Sequence, residues 1–271
     1  MNSKAISRLL GKSVVKRKIG FHLLYMTTLW EWTIRKAVWQ AVSAKKIPFA
    51  FLDSGSGMGQ HAFAVAKKYP QARVLGIELD REQVDDCNHV AHKMAQDNLR
   101  FRSGDLADFK AFNAFDVILC SHILEHIQED VAVIRALYNG LKKGGTLIVY
   151  VPTSERRVLA SLDRTIHKMV RKAGMPLPHD HIRYYTREEL CGKLERQGFY
   201  IQAATVTYGS YGRLAYDIVT SVQYSPFFLL IFPFYLVFIH PLVLVLMWAD
   251  YCKRNREGNG LLIVAVKRKS K

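Results

Sequence analysis

The sequence predicts an α/β fold in which strands and helices alternate along a single chain. Three observations carry that expectation. Short apolar runs of strand length recur at residues 49–52, 74–78, 99–103, 115–120, 147–149, 200–207 and 261–266. Helix-patterned stretches fall between the earlier ones, as a sheet covered by helices requires. A glycine-rich turn, Asp53-Ser54-Gly55-Ser56-Gly57-Met58-Gly59, joins the first strand to the helical run 62–68. At 271 residues the chain can bury one full α/β core and carry additions.

Each element follows from its residues. A strand that turns on glycines into a helix lets a ligand approach bare backbone, and the helix start offers unpaired N–H donors. The spacing here is an acid followed by Gly-x-Gly-x-Gly, not the Gly-x-Gly-x-x-Gly of dinucleotide sites. A carboxylate beside the turn suits a cationic ligand better than a pyrophosphate. The second strand ends in Glu78, an acceptor-only group matched to the two hydroxyl donors of a ribose. Asp80 reads as the N-cap of a helix from Arg81 onwards. The third strand closes on Gly104-Asp105-Leu106, and the fourth runs to Cys120 and on into Ser121-His122-Ile123-Leu124-Glu125-His126. A Gly144-Gly145 turn precedes the fifth strand. Thr186 and Glu189 form a capping box, and Gly198 stops the helix they open.

This series of motifs resembles the class I S-adenosylmethionine (SAM) dependent methyltransferases. The run Leu124-Glu125-His126-Ile127, the Leu141-Lys142-Lys143-Gly144-Gly145 turn and the segment from His181 through Arg183, Tyr185, Thr186 and Glu189 to Leu190 resemble the branch that includes the quinone-biosynthesis methyltransferases. That branch usually has proline where Lys143 stands. The resemblance covers residues 49–207 and the final strand. It implies a Rossmann-like seven-stranded sheet with helices on both faces, and SAM as cofactor. Asp53, Ser54, Gly55 and Gly57 are then expected to hold the cofactor's aminoacid part and Glu78 its ribose. Asp105 and Leu106 are expected beside the adenine, with Leu79 and Cys120 as further contacts.

Methyl transfer from a sulfonium gains mainly from positioning and from deprotonating the acceptor, so a base near the methyl group is needed. His122, Glu125 and His126 follow the fourth strand at the edge where open α/β sheets bind ligands. If the stretch is helical, His122 and His126 share a face with Glu125 beside them. Three readings stand: a histidine base, a divalent metal site as in some members of the branch, or hydrogen bonds that order the loop. His122 replaces a further acid of the metal-binding members, so no metal is expected. His181, within His179-Asp180-His181, is a second candidate base, and no cysteine or further histidine stands near it in sequence to complete a zinc site.

The formal charge of +16 is unevenly placed, with net +9 in residues 1–46, −2 in 47–150 and +9 in 151–271. Nucleic acid or an anionic membrane surface would each suit the basic ends, which include a run from Arg156 and Arg157 through Arg164 and Lys168 to Arg171 and Lys172. The Asn/Asp-Pro-Pro-aromatic signature of nucleic-acid methyltransferases is absent after the fourth strand, so no nucleic acid is expected. Residues 218–249 carry no Asp, Glu, Lys or Arg, and 226–248 are almost wholly apolar, long enough to cross a bilayer once. The last two strands lie side by side in this fold, so the chain must return to the side it left. Pro226, Pro233 and Pro241 break the run, predicting a short helical hairpin that dips into one leaflet. A lid or a dimer contact is the alternative. Lys4, Arg8, Lys12 and Lys16 oppose Ile6, Leu9, Leu10 and Val14 on a helix interrupted by Gly11. Tyr25, Trp30, Trp32 and Trp39 suit a headgroup interface, while Trp30, Ile34 and Val38 suit a lid helix over the cofactor.

The expected organisation is basic amphipathic N-terminal helices at 1–46, as a lid or on a membrane surface, a SAM-binding core at 47–207, a hydrophobic membrane-associating insert at 208–260 and a last strand with a basic tail at 261–271. Four cysteines without paired spacing suit a reduced compartment, and no cleaved signal peptide is expected. The expected activity is methylation, at the cytoplasmic face of a membrane, of an amphipathic or lipid-linked acceptor, with a hydroxyl oxygen favoured. N- or C-methylation and a non-catalytic SAM-binding scaffold are the alternatives, and the oligomeric state is open.

Overall fold

The computed structural model describes residues 10–153, 158, 181–223, 225 and 227–268. The expectations for Lys4, Ile6, Arg8 and Leu9, for the basic run from Arg156 to Lys172, and for His179 and Pro226 lie outside the described residues.

Seven strands form one sheet: β1 (Ala50–Ser54), β2 (Arg73–Glu78), β3 (Leu99–Ser103), β4 (Phe115–Ser121), β5 (Leu141–Pro152), β6 (Phe199–Thr207) and β7 (Gly260–Lys267). Their order is β3-β2-β1-β4-β5-β7-β6, with β7 antiparallel to both its neighbours and β1 to β5 parallel. All five residues of β1 are buried, which is why its first part, Ala50-Phe51-Leu52, is continuously apolar rather than alternating. Its side chains still alternate between faces. Phe51 joins one core with helices α2 (Leu29–Ser43), α3 (Gln60–Lys68) and α4 (Arg81–Lys93), and Leu52 joins the other with α5 (Asp130–Gly140) and α6 (Arg187–Arg196). Ahead of them α1 (Val14–Thr27) begins at Ser13, whose side chain caps Lys16 N, after a left-handed Gly11.

The caps follow their residues. Asp80 accepts from Glu82 N at 3.0 Å, and Thr186 accepts from Glu189 N at 3.1 Å. One turn is displaced: β5 begins already at Leu141, paired with Phe115, while Val117 pairs with Thr146. The Lys142 to Gly145 stretch therefore bulges out within the strand, with Gly144 at φ 76°, instead of preceding it.

The insert before β7 is a helical hairpin, but its turn is not made by Pro233 or Pro241. Its first arm is α7 (Ser210–Gln223), and its second runs from α8 (Phe228–Phe234) through a π turn (Tyr235–Ile239) into α9 (His240–Cys252). Pro233 lies inside α8 and Pro241 in the first turn of α9, where its missing N–H costs little. The π turn between them takes up the offset in the hydrogen-bond ladder. The arms share a core of Tyr208, Ala215, Val219, Tyr235, Val243 and Met247 with Leu29 of α2. Asp250, buried in that core, accepts from Gly209 N at 3.2 Å and Gly212 N at 3.0 Å and fastens the far end of the hairpin to its start.

Candidate active site

The glycine turn leaves β1 at the C-terminal edge of the parallel strands. Gly55 and Gly57 have φ 73° and 52°, the left-handed region that glycine enters without strain. Gly55 and Ser56 donate their N–H groups to Ile77 O, both at 2.8 Å, which folds the turn back over β2. A side chain at Gly57 would meet nothing within 4 Å, so the turn presents open backbone there. Glu78 braces it: Oε2 accepts from Gly57 N at 2.8 Å, and Oε1 accepts from Leu79 N and Asp80 N at 2.9 and 3.2 Å. Leu79 stands exposed beside it, and Asp105 is exposed with Oδ1 accepting from Ala107 N at 2.8 Å.

Asp53 is buried behind the turn and accepts from Ala62 N at 3.2 Å. Burial pushes its carboxyl up to about 6, against the pull of His61, and the charges of Glu31 and Glu78 add to the rise. The buried Glu31 lies 3.5 Å from His61 Nε2 and accepts from Gln60 Nε2 at 3.2 Å, so α2 closes on the start of α3 through polar groups. A ligand with positive charge and a ribose fits this surround, because Glu78 braces the open glycine turn itself and Asp53 and Glu31 lie buried behind it. Ser54 Oγ is spent on Leu119 O at 2.6 Å, and Leu106 is packed in the core. The Cys120 thiol is also sealed there, pushed up to about 12 by burial, so that position offers a ligand backbone rather than sulfur.

Beyond β4 the chain is not a continuous helix. His122 takes φ 56°, pinned by its N–H to Tyr150 O at 2.9 Å, and only Leu124–His126 form a short 3₁₀ turn. His122 and His126 therefore do not share a helical face. Instead His122 Nδ1 lies 3.3 Å from Glu125 Oε1, with the imidazole between the rings of Trp30 (4.9 Å) and Tyr150 (5.0 Å). Its Nε2 is screened from solvent with no partner among the described residues, and neither oxygen of the fully buried Glu125 has a hydrogen-bond donor there.

His126 turns the other way, to His181, with ring centres 5.0 Å apart. The two loops are stitched by Ile182 N to Glu125 O at 2.9 Å, and by Tyr185, whose hydroxyl donates to Asp130 Oδ2 at 2.6 Å and lies 3.1 Å from Leu124 O. Burial alone would raise the Asp130 carboxyl, but Lys193 and Tyr185 hydrogen bonds and the charges of Lys193 and Arg183 hold it below its ordinary value. Ligand atoms of Glu125, His126 and His181 lie within 4.8 Å of one another, a spacing that could hold a divalent cation. Sequence distance had hidden this meeting. It also hid Glu31, His61 and Arg17; the one available signal was that Glu31 is the sole acid among residues 1–46.

A family model described as a methyltransferase domain matches residues 48–193, more than half of the chain. The chain belongs to the methyltransferase domain family. SAM is the donor of this methyltransferase, and the solved phosphoethanolamine N-methyltransferase 2 of Haemonchus contortus, determined with SAM, shares the fold at TM-score 0.59 and 15% identity over 88% of this chain and 53% of its own. A geranyl diphosphate C-methyltransferase of Streptomyces coelicolor matches at TM-score 0.55 and 13% identity, over 86% and 74%. Among curated relatives, trans-aconitate 2-methyltransferase of Deinococcus radiodurans is 30% identical over 40% of each chain. Ubiquinone biosynthesis O-methyltransferase of Psychrobacter arcticus is 26% identical over 58% of this chain and 59% of its own. The methyltransferase thus spans no more than 59% of the length of these two relatives.

Proposed function

We propose that this methyltransferase acts on a hydroxyl oxygen of a lipophilic or lipid-linked acceptor at the cytoplasmic face of a membrane, with His122 as general base. The observation that carries the reading is the His122–Glu125 pair just after β4, with Nε2 left without a hydrogen-bond partner among the described residues and Nδ1 against a buried carboxylate. When bound, SAM supplies a methyl group on a cationic sulfur. Asp53 would hold the positive end of that cofactor, Glu78 its ribose through the carboxylate lone pairs the backbone amides leave, and Asp105 would flank the base. The Gly55 and Gly57 backbone lets it lie close.

His122 Nε2 would take the acceptor's hydroxyl proton, and Glu125 would stabilise the imidazolium that results. Trp30 and Tyr150 hold the imidazole in place and exclude water. His126 and His181 wall the acceptor side. The relatives named for O-methylation in ubiquinone biosynthesis support an oxygen acceptor on a lipophilic molecule. The second arm of the hairpin supports the surface location: from Leu230 to Cys252 it is long and apolar enough to cross a membrane, and Leu242, Val245 and Trp248 are exposed. Since β6 and β7 are adjacent, we place this arm along one leaflet rather than through it.

Carbonate washing of native membranes tests the location; full release of the protein would count against it. Turnover of His122→Gln and His126→Gln at saturating acceptor tests the base: loss in the first alone supports the assignment, and unchanged rates in both would sink it.

A further inference from the structure

We propose that α1 is a membrane-sensing strap that sets the glycine turn through Arg17, so that contact with an anionic bilayer tightens SAM binding; this rests on the membrane-surface reading above. Arg17 is the one fully buried residue of α1. Its Nη1 donates to Met58 O at 2.9 Å and lies 3.1 Å from Cys87 Sγ, while Nε donates to Gly11 O at 3.0 Å. Nη2 lies 3.9 Å from Asp86 Oδ2. Cys87 Sγ in turn faces Gly57 O at 3.7 Å. One side chain therefore ties α1 to both the cofactor turn and α4. A charged donor on the Met58 carbonyl orients the Met58–Gly59 peptide, one residue beyond Gly57, whose N–H is the one Glu78 accepts.

The outer face of the same helix is built for a surface. Val15, Ile19 and Leu23 are 66%, 56% and 43% exposed and recur at four-residue steps, so they form one stripe. Lys12, Lys16 and Lys18 flank it and are exposed. An apolar stripe edged by lysines is the chemistry of a helix lying in an anionic lipid interface, whereas a nucleic acid would have no use for the stripe. A helix of 14 residues is marginal by itself in water, and apart from Arg17 the inner side of α1 is only partly buried, through residues such as Val14 and Phe21. Local opening of α1 withdraws Arg17 from Met58, and docking on lipid suppresses that opening. Linkage then requires SAM to tighten membrane binding by the same factor.

The test measures SAM affinity of the whole protein by calorimetry without vesicles, with phosphatidylcholine vesicles, and with vesicles that also contain phosphatidylglycerol. Cosedimentation is recorded in parallel. The expected result is about tenfold tighter SAM binding on the anionic vesicles alone. Arg17→Met still sediments with them but binds SAM more weakly and loses the gain, and Arg17→Lys keeps part of it. Ile19→Glu keeps the wild-type affinity in solution and loses the gain, and it decides the matter if Arg17→Met does not fold. Wild-type protein that sediments with the vesicles and gains no affinity overturns the coupling while leaving the membrane reading intact. Protein that fails to sediment overturns both.

Discussion

His122 Nδ1 lies 3.3 Å from Oε1 of Glu125, a carboxylate with no exposed surface. In the proposed reading this contact orients the ring so that Nε2 can take the acceptor's proton. His122→Gln is expected to lower kcat by about 100-fold or more with little change in KM for SAM, since general-base assistance is worth that much. Glu125→Gln keeps shape and removes charge, so a loss of about tenfold is expected. Turnover that survives both substitutions would remove the base from this site. Because the reading commits Glu125 to His122, activity is also expected to persist after exhaustive chelation; its loss and return with a divalent ion would assign Glu125, His126 and His181 to a metal instead.

Asp53 is expected to make cofactor binding depend on pH. Its carboxyl titrates at about 6 in the folded chain, against an ordinary value of 3.8. The folded state thus holds the proton more tightly than the unfolded chain. The unliganded protein gains stability as pH falls from 6 towards 4, and above 6 it bears the full cost of the buried charge, about 3 kcal/mol. A cationic cofactor favours the ionised form, so SAM affinity is expected to decline as pH drops through about 6. Asp53→Asn is expected to melt higher at neutral pH, to bind SAM more weakly and to lose this pH dependence. Calorimetric titrations on either side of pH 6 check it, and a flat profile in the wild type would contradict the assignment.

Glu78 accepts three backbone N–H groups, and one of them belongs to Gly57 in the turn. Glu78→Ala is expected to raise KM for SAM by about tenfold to 100-fold while kcat falls much less, given about 1.5–3 kcal/mol for bonds to a charged group. Equal losses in both parameters would indicate a role in the chemical step.

The exposed side of α9 gives a test of location. Replacing Val245 and Trp248 together by Asp leaves the inner stripe of Val243 and Met247 untouched, so the melting temperature is expected to hold. Vesicle binding is expected to fall by at least tenfold, since burial of each such side chain contributes about 1.5–3 kcal/mol. Unchanged vesicle binding would move the contact elsewhere.

What the sequence disclosed and what it hid divide by distance along the chain. The Asp53 turn, the strand ending in Glu78, the Asp80 cap and the Thr186 capping box were legible because each is a local pattern. The Glu31–His61 contact joins residues 30 apart on α2 and α3, and Arg17 reaches Met58 across 41. No periodicity records such meetings. Whether the stretch after β4 is helical, the condition for His122 and His126 to share a face, is not legible because a non-glycine residue at φ 56° is not visible in residue type. The prolines misled in the opposite sense: Pro241 fell in a first helical turn, where it is tolerated, and the π turn absorbed the rest.

The most direct test of the account is transfer itself. Purified protein would be incubated with methyl-labelled SAM and total lipid from the cells that make it, and the organic phase analysed for product. The account predicts a labelled lipophilic product bearing a new O-methyl group, formed by the wild type and strongly reduced in His122→Gln. Label confined to a water-soluble product, or SAM binding with no transfer to any lipid, would contradict it.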